Sequence, residues 1–171
     1  MLLITLKNLI MKQLILVSHA KSSWGAPLQD IDRPLTNKGI QDAHLVSSQI
    51  SNQIPKSFLV WSSIAKRASE TAIIFAQNIS FPIESIIFKQ ELYTFDESKL
   101  EKIIKSCPND YDNLILFGHN EAITNFVNKF GNIFIDNVST SGFVNIIFDN
   151  DSWNDIEKGV TKKVIFPSDL R

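Results

Sequence analysis

The chain has 171 residues, 44% hydrophobic and 20% charged, enough for one core and too short for two comfortable domains. A net charge of −1, with 17 basic residues spread along the sequence, excludes the basic block or stripe of a nucleic-acid or anionic-membrane protein. A single cysteine, Cys107, excludes an internal disulfide framework, and three scattered histidines lack zinc-site spacing, so a reducing, cytoplasmic setting is expected.

Residues 1–10 are largely apolar, but Lys7 interrupts them, and neither a basic leader nor a small-residue cleavage site accompanies them. The segment reads as neither a signal peptide nor a membrane span. Met11 stands just before the first strand, so residues 1–11 are set apart as an N-terminal extension of unknown role and residues 12–171 as a single domain.

The run Leu14-Ile15-Leu16-Val17 is continuously apolar, as expected of a strand buried on both faces of a parallel sheet, and it ends at Ser18-His19. Residues 20–35 carry Gly25, Pro27 and Pro34 without periodicity and read as a long loop of the kind that often serves function. Helical spacing of Ile40, Ala43, Val46 and Ile50 predicts a helix over 36–51, followed by a strand at 58–61 and a second helix over 64–79 with a small-residue stripe. Arg67 falls in the first turn of that second helix.

A strand is expected over 82–88, then a helix from about 96 that stops at Pro108. Leu114-Ile115-Leu116-Phe117 is another buried run, ending at Gly118-His119, and the next helix closes before Gly131. Residues 142–148 and 160–166 read as a closing strand pair, with 149–152 as turn residues. The alternation predicts a three-layer α/β/α fold with a mainly parallel, mixed central sheet.

Two strands therefore each end in a histidine. If they are parallel neighbours, His19 and His119 meet at the carboxyl edge of the sheet, where open α/β folds bind ligands and helix N-termini favour anions. Arg67 follows the strand at 58–61 toward the same edge, and Arg33 lies in the loop after His19. Two guanidinium forks so placed can clamp a phosphoryl group.

Four ordered motifs then resemble a known family. They are Leu16-Val17-Ser18-His19-Ala20-Lys21-Ser22-Ser23-Trp24; Asp32-Arg33-Pro34-Leu35 with Gly39; Ser62-Ser63 with Lys66-Arg67-Ala68 and Thr71-Ala72; and Gly118-His119-Asn120. Together they look like a SixA-like phosphohistidine phosphatase of the histidine phosphatase (phosphoglycerate mutase-like) superfamily, over roughly residues 12–170. The resemblance implies the phosphoglycerate mutase-like fold, His19 as the nucleophile that becomes phosphohistidine, His119 as a second catalytic-pocket histidine, and Arg33 and Arg67 as substrate-binding groups. It also puts Ser18 among the substrate-binding positions, where the family carries an arginine. No cofactor or metal is implied. The substrate implied is a phosphorylated protein or a small phosphorylated molecule, with no nucleic-acid or membrane partner; oligomeric state is not legible.

The remaining residue types carry less. His44 has no motif around it and reads as a surface or half-buried helix residue. Cys107 lacks the arginine a cysteine phosphatase needs a short loop later, and reads as a helix-end core residue. Asp30-Ile31-Asp32 resembles the paired aspartates of haloacid dehalogenase phosphatases only in outline, because no apolar strand precedes it; both aspartates read as loop-shaping. Neither Glu91, Asp96 nor Glu97 sits in a motif that identifies a general acid.

Overall fold

The computed structural model describes residues 11–171, so the proposed extension lies almost entirely outside the described residues. The backbone alternates β1 (Lys12–Ser18), α1 (Asn37–Ile50), β2 (Leu59–Ser63), α2 (Lys66–Asn78), β3 (Ile87–Lys89), α3 (Glu97–Lys105), β4 (Asn113–Gly118), α4 (Asn120–Phe130), β5 (Phe143–Phe148) and β6 (Val160–Ile165). One six-stranded sheet results, in the order β3-β2-β4-β1-β5-β6. β1 pairs parallel with β4, and β2 parallel with β4 and β3, whereas β5 runs antiparallel to β1 and β6.

The pleat of β1 divides the core. Leu14 and Leu16 face one side with Leu100, Ile104, Ile123 and Phe126 of α3 and α4; Ile15 and Val17 face the other with Val46 of α1 and Phe75 of α2. Helices thus cover both faces, which is why the central strands read as unbroken apolar runs rather than alternating ones. Among the described residues, no helix is long and apolar enough to cross a membrane.

One expectation is corrected. Residues 82–88 are not a full strand: Pro82 leads into a 3₁₀ turn at Ile83–Ser85, and only Ile87–Lys89 pairs, as a short edge strand. Proline removes a ladder donor, and Pro82, Ile83, Glu84 and Ser85 are all exposed, so little packing holds that stretch extended. The closing strand pair forms where expected, and the link between β5 and β6 runs over residues 149–159. It is anchored by fully buried Trp153, whose ring N–H donates to the Tyr111 carbonyl at 2.7 Å.

Gly39 explains how the loop after β1 is seated. Thr36 caps α1 by accepting from the Gly39 N–H at 2.9 Å, and the Thr36 N–H donates to the Lys21 carbonyl at 2.9 Å. A Cβ at residue 39 would stand 2.2 Å from that carbonyl oxygen, so the backbone two residues beyond His19 lies directly on the first turn of α1.

Candidate active site

The register between β1 and β4 pairs Ser18 with Gly118, and the next residue on each strand is a histidine. The His19 N–H donates to the Gly118 carbonyl at 3.0 Å, and the two imidazole centroids are 5.4 Å apart. His119 is also the N-cap of α4 and is buried.

Hydrogen bonds assign both tautomers. His19 Nδ1 lies 2.7 Å from the Ala20 carbonyl oxygen, which can only accept, so Nδ1 carries the proton and Nε2 the lone pair. Among the described residues, Nε2 has no protein partner. His119 Nδ1 accepts from Arg67 Nη2 at 3.4 Å, and its Nε2–H donates to Ser63 Oγ at 2.9 Å. Burial holds the His19 pKa down at about 4, aided by Arg67 and Arg33 and opposed by the bond to Ala20. Burial, then His19 and Arg67, hold His119 down at about 3. Both rings are neutral at neutral pH.

Arg67, one residue into α2, is buried, and Thr71 one turn later links it to the strand end. The Thr71 hydroxyl donates to the Arg67 carbonyl at 2.7 Å and accepts from the Ala20 N–H at 2.9 Å. Arg33 stacks on Trp24, its guanidinium carbon 3.5 Å from the ring centroid, and donates to Ser22 Oγ at 2.7 Å.

Asp30 joins these groups, contrary to the reading that it only shapes its loop. Its carboxylate accepts from Arg33 Nε at 3.2 Å and Arg67 Nη2 at 2.9 Å, and from the Tyr93 hydroxyl. Those partners, Tyr93 first and Arg67 next, hold its pKa at about 2, so it is an anion and no proton donor. Tyr93 and Phe95 also meet His119 edge-on, at centroid distances of 5.3 and 5.1 Å. No local pattern announced Tyr93 or Phe95, because their link from β3 to α3 is irregular and its place at this edge is tertiary.

Four of the five expected site residues, His19, Arg33, Arg67 and His119, come together. Ser18 lies beneath them, fully buried, and its hydroxyl has no hydrogen-bond partner among the described residues. Glu91 is exposed, Asp96 caps α3 by accepting from the Ser98 N–H, and Glu97 faces Lys129 at 3.6 Å. Asn78 donates to His44 Nδ1 on the outer helices, and burial raises the Cys107 thiol to about 12, which makes it inert. Two open clefts of about 470 and 710 Å³ adjoin the site through Tyr93 and Thr94.

Residues 14–127 match the family model of the histidine phosphatase superfamily, branch 1. The chain belongs to that superfamily.

Solved structures agree on the fold. This histidine phosphatase domain is similar to a structure named as a SixA phosphohistidine phosphatase from Nakamurella multipartitia, with TM-score 0.77, 20% identity, and coverage of 92% of this chain and 96% of that one. It is similar to the protein histidine phosphatase SixA in complex with tungstate, with TM-score 0.76, 19% identity, and coverage of 93% and 99%. A SixA from Agrobacterium tumefaciens matches with TM-score 0.72, 20% identity, and coverage of 90% and 97%. No curated protein sequence matches the chain.

Proposed function

We propose that the protein is a phosphatase that forms a covalent phosphohistidine on His19 without a metal ion, and that its substrate is phosphohistidine in a protein. The observation that carries this reading is the His19 tautomer: Nδ1–H is tied to the Ala20 carbonyl at 2.7 Å, leaving Nε2 as a free lone pair beside two guanidinium groups.

In the first step the Nε2 lone pair forms an N–P bond as the bond from phosphorus to the leaving group breaks, and the leaving group keeps the electron pair. Water then attacks phosphorus, the N–P bond breaks, and His19 regains its lone pair as inorganic phosphate departs. Arg33 and Arg67 offset the charge on the phosphoryl oxygens, so the chain contributes mainly positioning and charge stabilisation.

The leaving group decides between substrates. An ester oxygen leaves poorly without a proton donor, and Asp30, the carboxylate nearest the site's arginines, is ionised. The N–P bond of phosphohistidine is intrinsically labile and needs less help. Shallow access also suits a phosphate carried on a protein, since Trp24 and Phe95 at the rim are 79% and 48% exposed. A single cysteine, which allows no internal disulfide, agrees with a cytoplasmic location.

A second reading, a phosphate- or phosphoprotein-binding module without turnover, rests on Ser18, whose buried hydroxyl supplies no charge to the anion site. Hydrolysis of a phosphohistidine-bearing protein and of a chromogenic phosphoester separates the readings. Faster release from the phosphohistidine protein is expected; saturable binding without release of phosphate from either substrate rejects catalysis.

A further inference from the structure

Both arginines proposed to receive phosphate already hold an anion that belongs to the chain. Asp30 Oδ1 lies 3.2 Å from Arg33 Nε and 3.1 Å from Arg33 Nη2, and Oδ2 lies 2.9 Å from Arg67 Nη2. The Tyr93 hydroxyl donates to the same carboxylate. These are charge-assisted contacts of the kind a phosphoryl oxygen would make.

The arginines do not depend on that carboxylate for their places. Arg67 Nη1 donates to the main-chain carbonyl of Asp30 at 2.7 Å, so the backbone of residue 30 anchors the fork while its side chain occupies the other nitrogen. Arg67 Nε is buried with no partner among the described residues, a donor left over on a group only 1% exposed. Arg33 is fixed separately, by Ser22 Oγ and the face of Trp24. Asp30 itself sits in a single 3₁₀ turn with its side chain 40% exposed, so its carboxylate can swing to water while the turn stays in place.

We propose that Asp30 is a built-in occupant of the anion clamp, a carboxylate that competes with the incoming phosphoryl group and sets how tightly oxyanions bind. The inference rests on the reading of Arg33 and Arg67 as the phosphate clamp. Two guanidinium groups and two neutral imidazoles face one carboxylate, so Asp30 cancels half of the local positive charge. With Ser18 supplying none, the cancellation weighs more here than in a site with a third cation. The consequence is discrimination: a phosphoryl group carrying two negative charges displaces the carboxylate, whereas singly charged anions do not gain enough.

The test is equilibrium binding of tungstate to the full chain, measured by calorimetry for the wild type, Asp30→Asn, Asp30→Ala and Arg67→Ala. Loss of a competing carboxylate is expected to tighten binding about tenfold in both Asp30 variants, the order of one charge-assisted hydrogen bond. Unchanged or weaker binding in either variant overturns the proposal and makes the carboxylate a strut for the arginines. A measurement on the unmodified protein does not depend on the variants folding: the Asp30 carboxyl ¹³C resonance shifts as tungstate saturates the site, and an unmoved resonance overturns the proposal. Arg67→Ala is expected to lose tungstate binding. If it binds as the wild type does, the clamp itself is misplaced, a failure distinct from that of Asp30 as its occupant.

Discussion

His19 and His119 face each other with ring centroids 5.4 Å apart because Ser18 and Gly118 are register partners on adjacent parallel strands. The pair is a property of the sheet rather than of either loop. His19 is fixed through Nδ1 on the Ala20 carbonyl and His119 through both nitrogens, on Arg67 and Ser63, so neither depends on a bound anion for its orientation.

Replacing His19 with alanine removes the nucleophile but neither arginine. Turnover is expected to vanish while tungstate still binds. In rapid-quench experiments the wild type is expected to carry a phosphoryl adduct that is stable in base and labile in acid; an alanine variant that retains full turnover refutes the assignment.

The histidines also set a pH signature. His19 titrates near 4 and His119 near 3, against 6.5 for a free imidazole, chiefly because burial disfavours the charged ring. The unfolded chain therefore takes up protons below about pH 6.5 that the folded chain refuses until near pH 4, so this contribution to stability declines as pH falls across that window. Asp30 acts at lower pH: its pKa is depressed from 3.8 to about 2, so its stabilisation is complete above 3.8 and is lost as pH falls through 2. Histidine NMR titration is the check, and midpoints near 6.5 would contradict the buried, neutral rings.

Ser18→Arg places a guanidinium at the position where the family pattern carries one. An added preorganised donor is expected to raise kcat by about 10²-fold, with a smaller effect on KM. Steady-state kinetics on both proteins gives the answer. A lower KM at unchanged kcat would mean that the new charge aids binding only.

Gly39→Ala tests the seat of the loop. The added Cβ meets the Lys21 carbonyl oxygen at 2.2 Å, against backbone rather than a yielding side chain. A loss of about 1–3 kcal/mol is expected, read from denaturant unfolding, together with reduced turnover, because Lys21 follows His19 by two residues. Wild-type stability in the variant would show that the loop can lift from α1 at no cost.

Since no cation enters the proposed reaction, prolonged treatment with a chelator is expected to leave turnover unchanged. Activity lost to the chelator and restored by magnesium or zinc would replace the phosphohistidine scheme.

Much of this was legible in sequence for a local reason. Runs such as Leu14–Val17 and Leu114–Phe117 are apolar at every position because helices cover both faces of the sheet, and each run gives way at the carboxyl edge to Ser18-His19 or Gly118-His119. The long loop and Arg67 at the start of α2 likewise follow from residue type and spacing. Asp30, Tyr93 and Phe95 are different. Asp30 meets Arg67 across 37 residues and Tyr93 across 63, contacts that no periodicity encodes. The sequence by itself determined which strands end in histidine and that arginines follow. Only the tertiary structure decided that Asp30 stands between those arginines, because its partners are set by where the loop after β1, the start of α2 and the link from β3 to α3 converge, not by periodicity along the chain.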